Sequence, residues 1–459
     1  MQSIPEILKA QNSCFKSQKT KAISFRLSLL KALKAEIINQ EPAILEALHS
    51  DFKKSAFEAY MSEFALVISE LNLAIKNLRK WTKPKRVTAS LLTFPSKDYI
   101  YKAPYGTVLI IAPWNYPFLL ALEPLIMAIA AGNTVVLKPS ELTQNTSNII
   151  TEIIQKVFTN DICCSVEGGV ETSTKLLAQH WDYIFFTGST RVGKIVAKAA
   201  AQHLTPVTLE LGGKSPCIID DSNNLKLVAR RLIWGKLFNG GQTCIAPDYI
   251  IVSSGIKNEL IQCLIKEIEK QYGNTPKNTA DFPRIVNRKN TERLKRLLAN
   301  ETLLFGGNVD SNEHYVAPTL VDNPKLDSAL MTEEIFGPIL PILTYDSEKD
   351  IEDIIYSLNK PLSFYIFSKD KTFTKSLILK FNFGGGVVND TLVHFGNPKL
   401  PFGGVGASGM GKYHGKHGFD TFSHDKAIMK RGTWLDPSFR YAPYKGKMTL
   451  LRNVFKYLG

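Results

Sequence analysis

From residue 107 onward, short β-rich runs alternate with longer helical stretches, and this alternation restricts the fold more than any other feature of the chain. The runs fall at 107–111, 134–137, 162–166, 183–186 and 207–209, with helical patterns between them at 118–131, 144–158, 172–178 and 191–203. Strands separated by helices are joined by crossovers, which gives a parallel sheet. After Gly213 a second block of the same kind begins. It has a strand at 217–219, a helix within 227–238, a strand at 249–252, a helix at 257–272, and later strands at 315–320, 339–345, 364–367 and 386–389. At 459 residues the chain is too long for one ordinary core, so two or three domains are expected.

The ends of the chain read differently. Up to about residue 81 the pattern is helical, with segments at 21–49 and 54–80 whose apolar residues recur three and four apart. A break at 82–86 leads into LLTFPSKDYIYKAPYG, which reads as two short strands turning at Pro95-Ser96. A lone hairpin is marginal, so this one should pair elsewhere or across a subunit boundary. The glycine-rich stretch 401–411 and the segment from about 427 read as a return and an arm.

Ligands of open parallel sheets bind beyond the carboxyl ends of the strands. Here four of the first five strands end in residues suited to binding or chemistry. The first runs into APWNYP with Asn115, the second into KPSE at 138–141, the fourth into TGSTRVG at 187–193, and the fifth ends at Glu210. Taken singly, each has a plain structural reading. Gly188 and Gly193 resemble part of a dinucleotide turn, or merely open a helix whose first N–H groups favour phosphate. Lys138 and Glu141 suit ribose hydroxyls, or belong to a helix start with Ser140 as cap. Asn115 either aims an amide at an oxyanion or is a turn residue. Glu334 and Phe336, in TEEIFGP, are otherwise an acid-rich turn before a strand. Together the strand ends point to one shared cleft.

The chemistry converges on GGQTCIAPD at 240–248, which sets Cys244 among small residues just after the apolar run LVARRLIWGKLF. A free thiol titrates near ~8.5, so a nucleophilic cysteine needs an activating site, room beside it, and a proton handler. Upstream, LELGGKSP supplies Glu210 as that handler.

Composition excludes several alternatives. Hydrophobic content of 44% and charged content of 21% argue against disorder. The six cysteines show no paired zinc-ligand spacing, so no metal site is expected, and they fit reduced thiols better than a disulfide framework. No signal peptide is read at the N-terminus. The longest apolar run, 118–131, contains Glu123 and is shorter than the ~20 residues that span a bilayer, so a cytoplasmic protein without a membrane anchor is expected. The formal charge of +14 comes from scattered lysines rather than one run with interleaved aromatics, and no nucleic-acid-binding module is recognisable.

Taken together, APWNYP, LKPSE, FTGST, LELGGK, GGQTC, EEIFGP and PFGGVGASGMG, in that order along nearly the whole chain, resemble the aldehyde dehydrogenase superfamily. YHGKHGFDTFSH and RYAPY look most like its class 3 branch. The resemblance implies a fold with a Rossmann-like cofactor domain (1–82 and 103–212), a second α/β catalytic domain (213–410), and a small β arm for oligomerisation (83–102 and 427–459). It implies NAD-dependent oxidation of medium-chain aliphatic or aromatic aldehydes to acids, with NADP as a second cofactor, in a homodimer. Cys244 would attack the aldehyde carbon, Asn115 and the Cys244 N–H would hold the oxyanion, and Glu210 would activate the hydrolytic water. Glu210 also argues for water, not coenzyme A or phosphate, as the acyl acceptor. Lys138 and Glu141 would contact the adenosine ribose; Gly188, Ser189 and Val192 would sit near the pyrophosphate and adenine. Glu334 would hold the nicotinamide ribose, with Phe336 packing nearby. His414 matches a class 3 histidine near the active site, and segments 57–61 and 393–397 are expected at the substrate entrance.

Overall fold

The structure, a computed structural model, describes residues 3–458. Three larger sheets and one two-stranded ribbon organise it. The first carries five parallel strands in the order Val207–Glu210, Tyr183–Thr187, Thr107–Ile111, Thr134–Lys138 and Cys163–Ser165, with Gly409–Met410 added antiparallel beside Val207–Glu210. In chain order these five strands read 5-4-1-2-3, so the winding reverses between Thr107–Ile111 and Tyr183–Thr187. A cleft opens at such a reversal because the crossover helices leave it on opposite faces of the sheet. The Gly409–Met410 strand lies in this sheet, although its position in the sequence places it at the end of the 213–410 unit.

The second sheet has seven strands, in the order Leu303–Phe305, Thr319–Asp322, Ile339–Tyr345, Tyr249–Ser253, Pro216–Ile219, Ser363–Phe367 and Gly385–Val388; all neighbours are parallel except the first pair. Helices Arg288–Leu297, Glu348–Tyr356 and Lys371–Lys380 complete its periphery. They are opened by Asn287, Ser347 and Asp370, whose side chains occupy backbone N–H or reciprocal capping partners. The third sheet is the small one, Lys85–Val87, Ser96–Pro104 and Ser423–Arg431, all antiparallel.

Several local expectations change. The turn at Pro95-Ser96 does not separate two strands: Leu91–Thr93 is a 3-10 turn capped by Ser90, and one strand runs through Ser96–Pro104. Its partners are Lys85–Val87 before it and Ser423–Arg431 from the far end of the chain, so the hairpin does pair elsewhere. The helical segment 21–49 divides into Ile23–Asn39 and Glu41–Phe52, because Pro42 in the first turn of the second helix has no N–H to continue the first. The segment 54–80 contains a π turn, Tyr60–Phe64, between Ala56–Ala59 and Ala65–Trp81. The run at 315–320 splits into Tyr315–Val316, paired with Val309–Asp310, and Thr319–Asp322 in the large sheet. Pro318 lies between the two and cannot donate to a ladder.

Behind the first sheet, every residue of the helix Pro117–Ala131 is buried, Glu123 included. That helix starts where the APWNYP loop ends, and so fixes Asn115 and Tyr116 relative to the sheet.

Candidate active site

Cys244 sits on a loop whose conformation its own residues dictate. Asn239, Gly240 and Gly241 all have positive φ, at 54°, 61° and 78°. A Cβ on Gly241 would lie 2.3 Å from the carbonyl oxygen of Gly337, so only glycine lets this loop pack on the 334–338 turn. Asn239 is the hub. Its N–H donates to Glu58 Oε1 at 2.7 Å, and its Nδ2 donates to the carbonyls of Asn115 at 2.7 Å and Gln242 at 3.2 Å. Gln242 fastens the loop onward, donating to Arg284 O and accepting from Val286 N. The Tyr116 and Thr243 hydroxyls share a hydrogen bond of 2.6 Å, and Lys214 pairs with Asp248 at 2.5 Å beyond the cysteine. Glu58, Asn239 and Gln242 carry no signal of this role in the sequence; Gln242 stands inside the motif and Asn239 just before it, but their bonds run to distant segments.

Cys244 and Glu210 line the same pocket, of about 290 Å³. Its walls are almost wholly apolar, with Leu119, Leu120, Trp234, Phe238 and Phe402 among them. Met61, Val393, Phe395 and Gly396 also line it, as expected of the two entrance segments. Glu210 ends its strand here, 2% exposed, with no hydrogen-bond partner on either carboxyl oxygen among the described residues. Burial alone pushes it well above the usual carboxylate range. The Cys244 thiol is likewise pushed up, first by burial and then by the charges of Glu334 and Glu210, while the N–H groups of Cys244 and Ile245 act in the opposite direction. Both shifts favour the protonated forms.

Asn115 is buried and does not line this pocket; its Nδ2 donates to Gln242 O at 3.0 Å, which leaves one N–H of the amide uncommitted. The other predicted residues gather where the sheet winding reverses. Lys138 and Glu141 pair at 2.5 Å beyond the second strand. Gly188 donates to Glu210 O at 2.9 Å, and Ser189 caps the helix Thr190–Ala201 by accepting from Val192 N. Glu334 accepts from Gly213 N at 3.1 Å and is pushed up to about 8, chiefly by burial. A Cβ on Gly212 would fall 2.2 Å from its carboxylate. Phe336, at φ 51°, packs edge-on against Trp114, with ring centroids 5.2 Å apart. His414 stands apart from the catalytic pocket: it is buried, at φ 85°, with Nε2 3.2 Å from Glu123 Oε1.

The profile of the aldehyde dehydrogenase family matches residues 2–428. The 4,4'-diaponeurosporen-aldehyde dehydrogenase of Staphylococcus aureus is 50% identical over 444 residues, covering 96% of this chain and 97% of that protein. The dimeric NADP-preferring aldehyde dehydrogenase of Canis lupus familiaris is 40% identical over 451 residues, 98% of this chain and 100% of that one. Among solved structures, a substrate-bound AldH from Staphylococcus aureus superposes with a TM-score of 0.96 at 48% identity, over 99% of this chain and 100% of that one. An NAD-dependent aldehyde dehydrogenase from Sinorhizobium meliloti gives 0.85 at 26% identity, over 94% and 88%.

Proposed function

The chain belongs to the aldehyde dehydrogenase family, and we propose that it oxidises medium-chain aliphatic or aromatic aldehydes to carboxylic acids, using NAD first and NADP second, through a thioester on Cys244. The observation that carries this reading is that Cys244 and the buried Glu210, whose carboxyl oxygens have no hydrogen-bond partner among the described residues, line one apolar pocket. A volume of about 290 Å³, near the low end of the roughly 300–1,000 Å³ typical of small-molecule pockets, suits a compact apolar aldehyde.

The sulfur of Cys244 adds to the aldehyde carbon. The free N–H of Asn115 and the backbone N–H of Cys244 stabilise the oxygen as it gains charge. Lys138 and Glu141 would hold the adenosine ribose of the dinucleotide, Gly188, Ser189 and Val192 its pyrophosphate and adenine, and Glu334 with Phe336 the nicotinamide ribose. The cradle fits such a group: the carboxylate of Glu334 lies against Gly212 where no side chain intrudes, and the capped N-terminus of Thr190–Ala201 suits phosphate. Bound dinucleotide supplies the hydride acceptor. Glu210 then takes a proton from the water that cleaves the thioester, and Cys244 is regenerated. The exposed carboxylate of Glu141 disfavours a 2′-phosphate, while Lys138 beside it softens that preference.

The same reading extends to a cytoplasmic homodimer. The outer edges of Ser423–Arg431 and Gly385–Val388 carry no strand partner among the described residues, and an open edge is a template for a second chain. Six free cysteines suit a reducing compartment, and no helix among the described residues is long and apolar enough to cross a membrane.

The test is purified protein with NAD and benzaldehyde or hexanal, followed at the NADH absorbance band. Cys244→Ser should abolish turnover while leaving dinucleotide binding intact, and silence of the native protein across a broad aldehyde panel would overturn the proposal. The name of the 50% identical relative supports a second reading, a longer apolar aldehyde whose reactive end alone enters the pocket. Relative rates on hexanal and on longer chains separate the two.

A further inference from the structure

Beside the catalytic pocket lies a second, smaller cavity of about 20 Å³, walled by Glu70, Glu123 and His414 and reaching the surface at the exposed Ser69 and Gly396. It is large enough for one water and polar enough to hold it. The two cavities share Leu66, Phe395 and Gly396 as a wall.

Two of the three polar groups around the small cavity have a buried atom without a hydrogen-bond partner among the described residues. Glu123 projects from a helix buried along its whole length, and its Oε2 has no hydrogen-bond partner among the described residues. His414 Nε2 lies 3.2 Å from Glu123 Oε1 but is not aligned for a hydrogen bond, and Phe395, Phe402 and Tyr413 hem in its ring. Glu70 accepts from Gly415 N at 2.9 Å. Burying a carboxyl with an unpartnered oxygen costs several kcal/mol, so the presence of Glu123 beside the catalytic pocket calls for a chemical reason. The charges that act on Glu123 are those of Glu70 and Glu210, and Tyr413, which lines the catalytic pocket with Glu210, packs edge-on against the His414 ring with centroids 4.9 Å apart. Burial pushes Glu123 well up, Glu70 up to about 7, and His414 down to about 3. These shifts favour neutral Glu123 and neutral His414, which hold no fixed ion pair, and place Glu70 where it exchanges its proton near neutral pH.

The proton balance gives that reason. When the C–H bond of the thiohemiacetal breaks with its electron pair passing to the oxidised nicotinamide, the hydroxyl proton is lost. When water forms the new C–O bond and the C–S bond breaks, sulfur takes one proton and the carboxylic acid releases another. Two protons per turnover must leave an apolar pocket in which Glu210 has no hydrogen-bonded neighbour among the described residues. We propose that Glu123, with His414 beside it and Glu70 beyond, relays these protons from Glu210 through water in the small cavity to solvent at Ser69 and Gly396.

This rests on the aldehyde-oxidising reading, and the experiment separates the two. The native enzyme is mixed rapidly with NAD and benzaldehyde, and the NADH burst and the steady state are followed from acid to alkaline pH. Absence of any NADH formation, burst or steady, in the native enzyme defeats the underlying reading, and NADH formed steadily without a burst defeats the relay, which needs proton export to be slower than hydride transfer. If the native burst is present, Glu123→Gln should keep its amplitude while the steady-state rate falls about 10- to 100-fold, the scale of a lost proton-transfer group. The variant's pH profile should shift, and small weak acids such as formate should restore part of the rate. A steady-state rate within twofold of native, with an unchanged profile and no response to formate, overturns the relay. Should Glu123→Gln fail to fold, Glu70→Gln, at the outer end, is decided by the same readouts.

Discussion

Gly241→Ala separates the geometry of the nucleophile loop from its conformational preference. An alanine Cβ there would stand 2.3 Å from Gly337 O and 2.4 Å from Gly337 C, both backbone atoms that cannot rotate away. Ordinary contact needs at least 3.4 Å, so the loop or the 334–338 turn must retreat by about 1 Å, a displacement that costs on the order of 100-fold in rate when it moves a reacting group. The left-handed φ of 78° adds about 1–2 kcal/mol for a residue with a Cβ. The neighbouring glycine is the control. Gly240 has a similar φ, 61°, but its nearest neighbour is Gln242 Nε2 at 3.5 Å, an ordinary contact. Gly240→Ala should therefore lose about 1–2 kcal/mol of stability and keep its rate within about threefold, whereas Gly241→Ala loses roughly 100-fold in burst rate. Stopped-flow NADH bursts and denaturant titrations on both variants measure the two quantities. Equal rate losses in the two alanines would refute the claim that contact with Gly337 holds the loop.

Other expected outcomes follow from the same contacts. Burial favours the protonated forms of Glu210 and Cys244, so the working ionised forms grow as pH rises; kcat/KM should climb by about tenfold per pH unit on the acid side as Cys244 ionises, and the rate of thioester hydrolysis should climb likewise with Glu210. A flat profile from pH ~6 to ~9 would contradict this. Glu210→Gln should release one equivalent of NADH and stall as a thioester, detectable as an acyl mass on Cys244; loss of the burst as well would contradict a role confined to hydrolysis. Asn239→Ala strips hydrogen bonds from the carbonyls of Asn115 and Gln242 inside the protein, and should cost about 2–4 kcal/mol by denaturant titration. Glu141→Gln should move the NADP-to-NAD ratio of kcat/KM toward NADP by roughly tenfold, about 1.4 kcal/mol, and an unchanged ratio would remove Glu141 from cofactor choice.

Much of the site was legible because its signals are local. A strand declares itself by a few β-favouring residues, and the residue just past its carboxyl end is at the ligand edge wherever the strand lies in a parallel sheet. That is why Lys138, Gly188 and Glu210 are found at strand ends in the structure as in the sequence. Glu123 was visible too, but as a flaw in an apolar run that argued only against a membrane span. Its meaning depends on Glu70, His414 and Glu210, which come from three other elements and meet only in the folded chain.

The sequence by itself determined the alternation of strands and helices, the glycine-lined turn around Cys244 and the identity of the residues at the strand ends, because these depend on neighbours a few positions apart. The tertiary structure decided where the sheet reverses, that Asn115 is held by Gln242, and that Glu210 stands in an apolar pocket without a partner among the described residues. It also set the pairing of Ser96–Pro104 with a strand more than three hundred residues later. These follow from burial and from contacts between segments far apart in the chain, which no local pattern encodes.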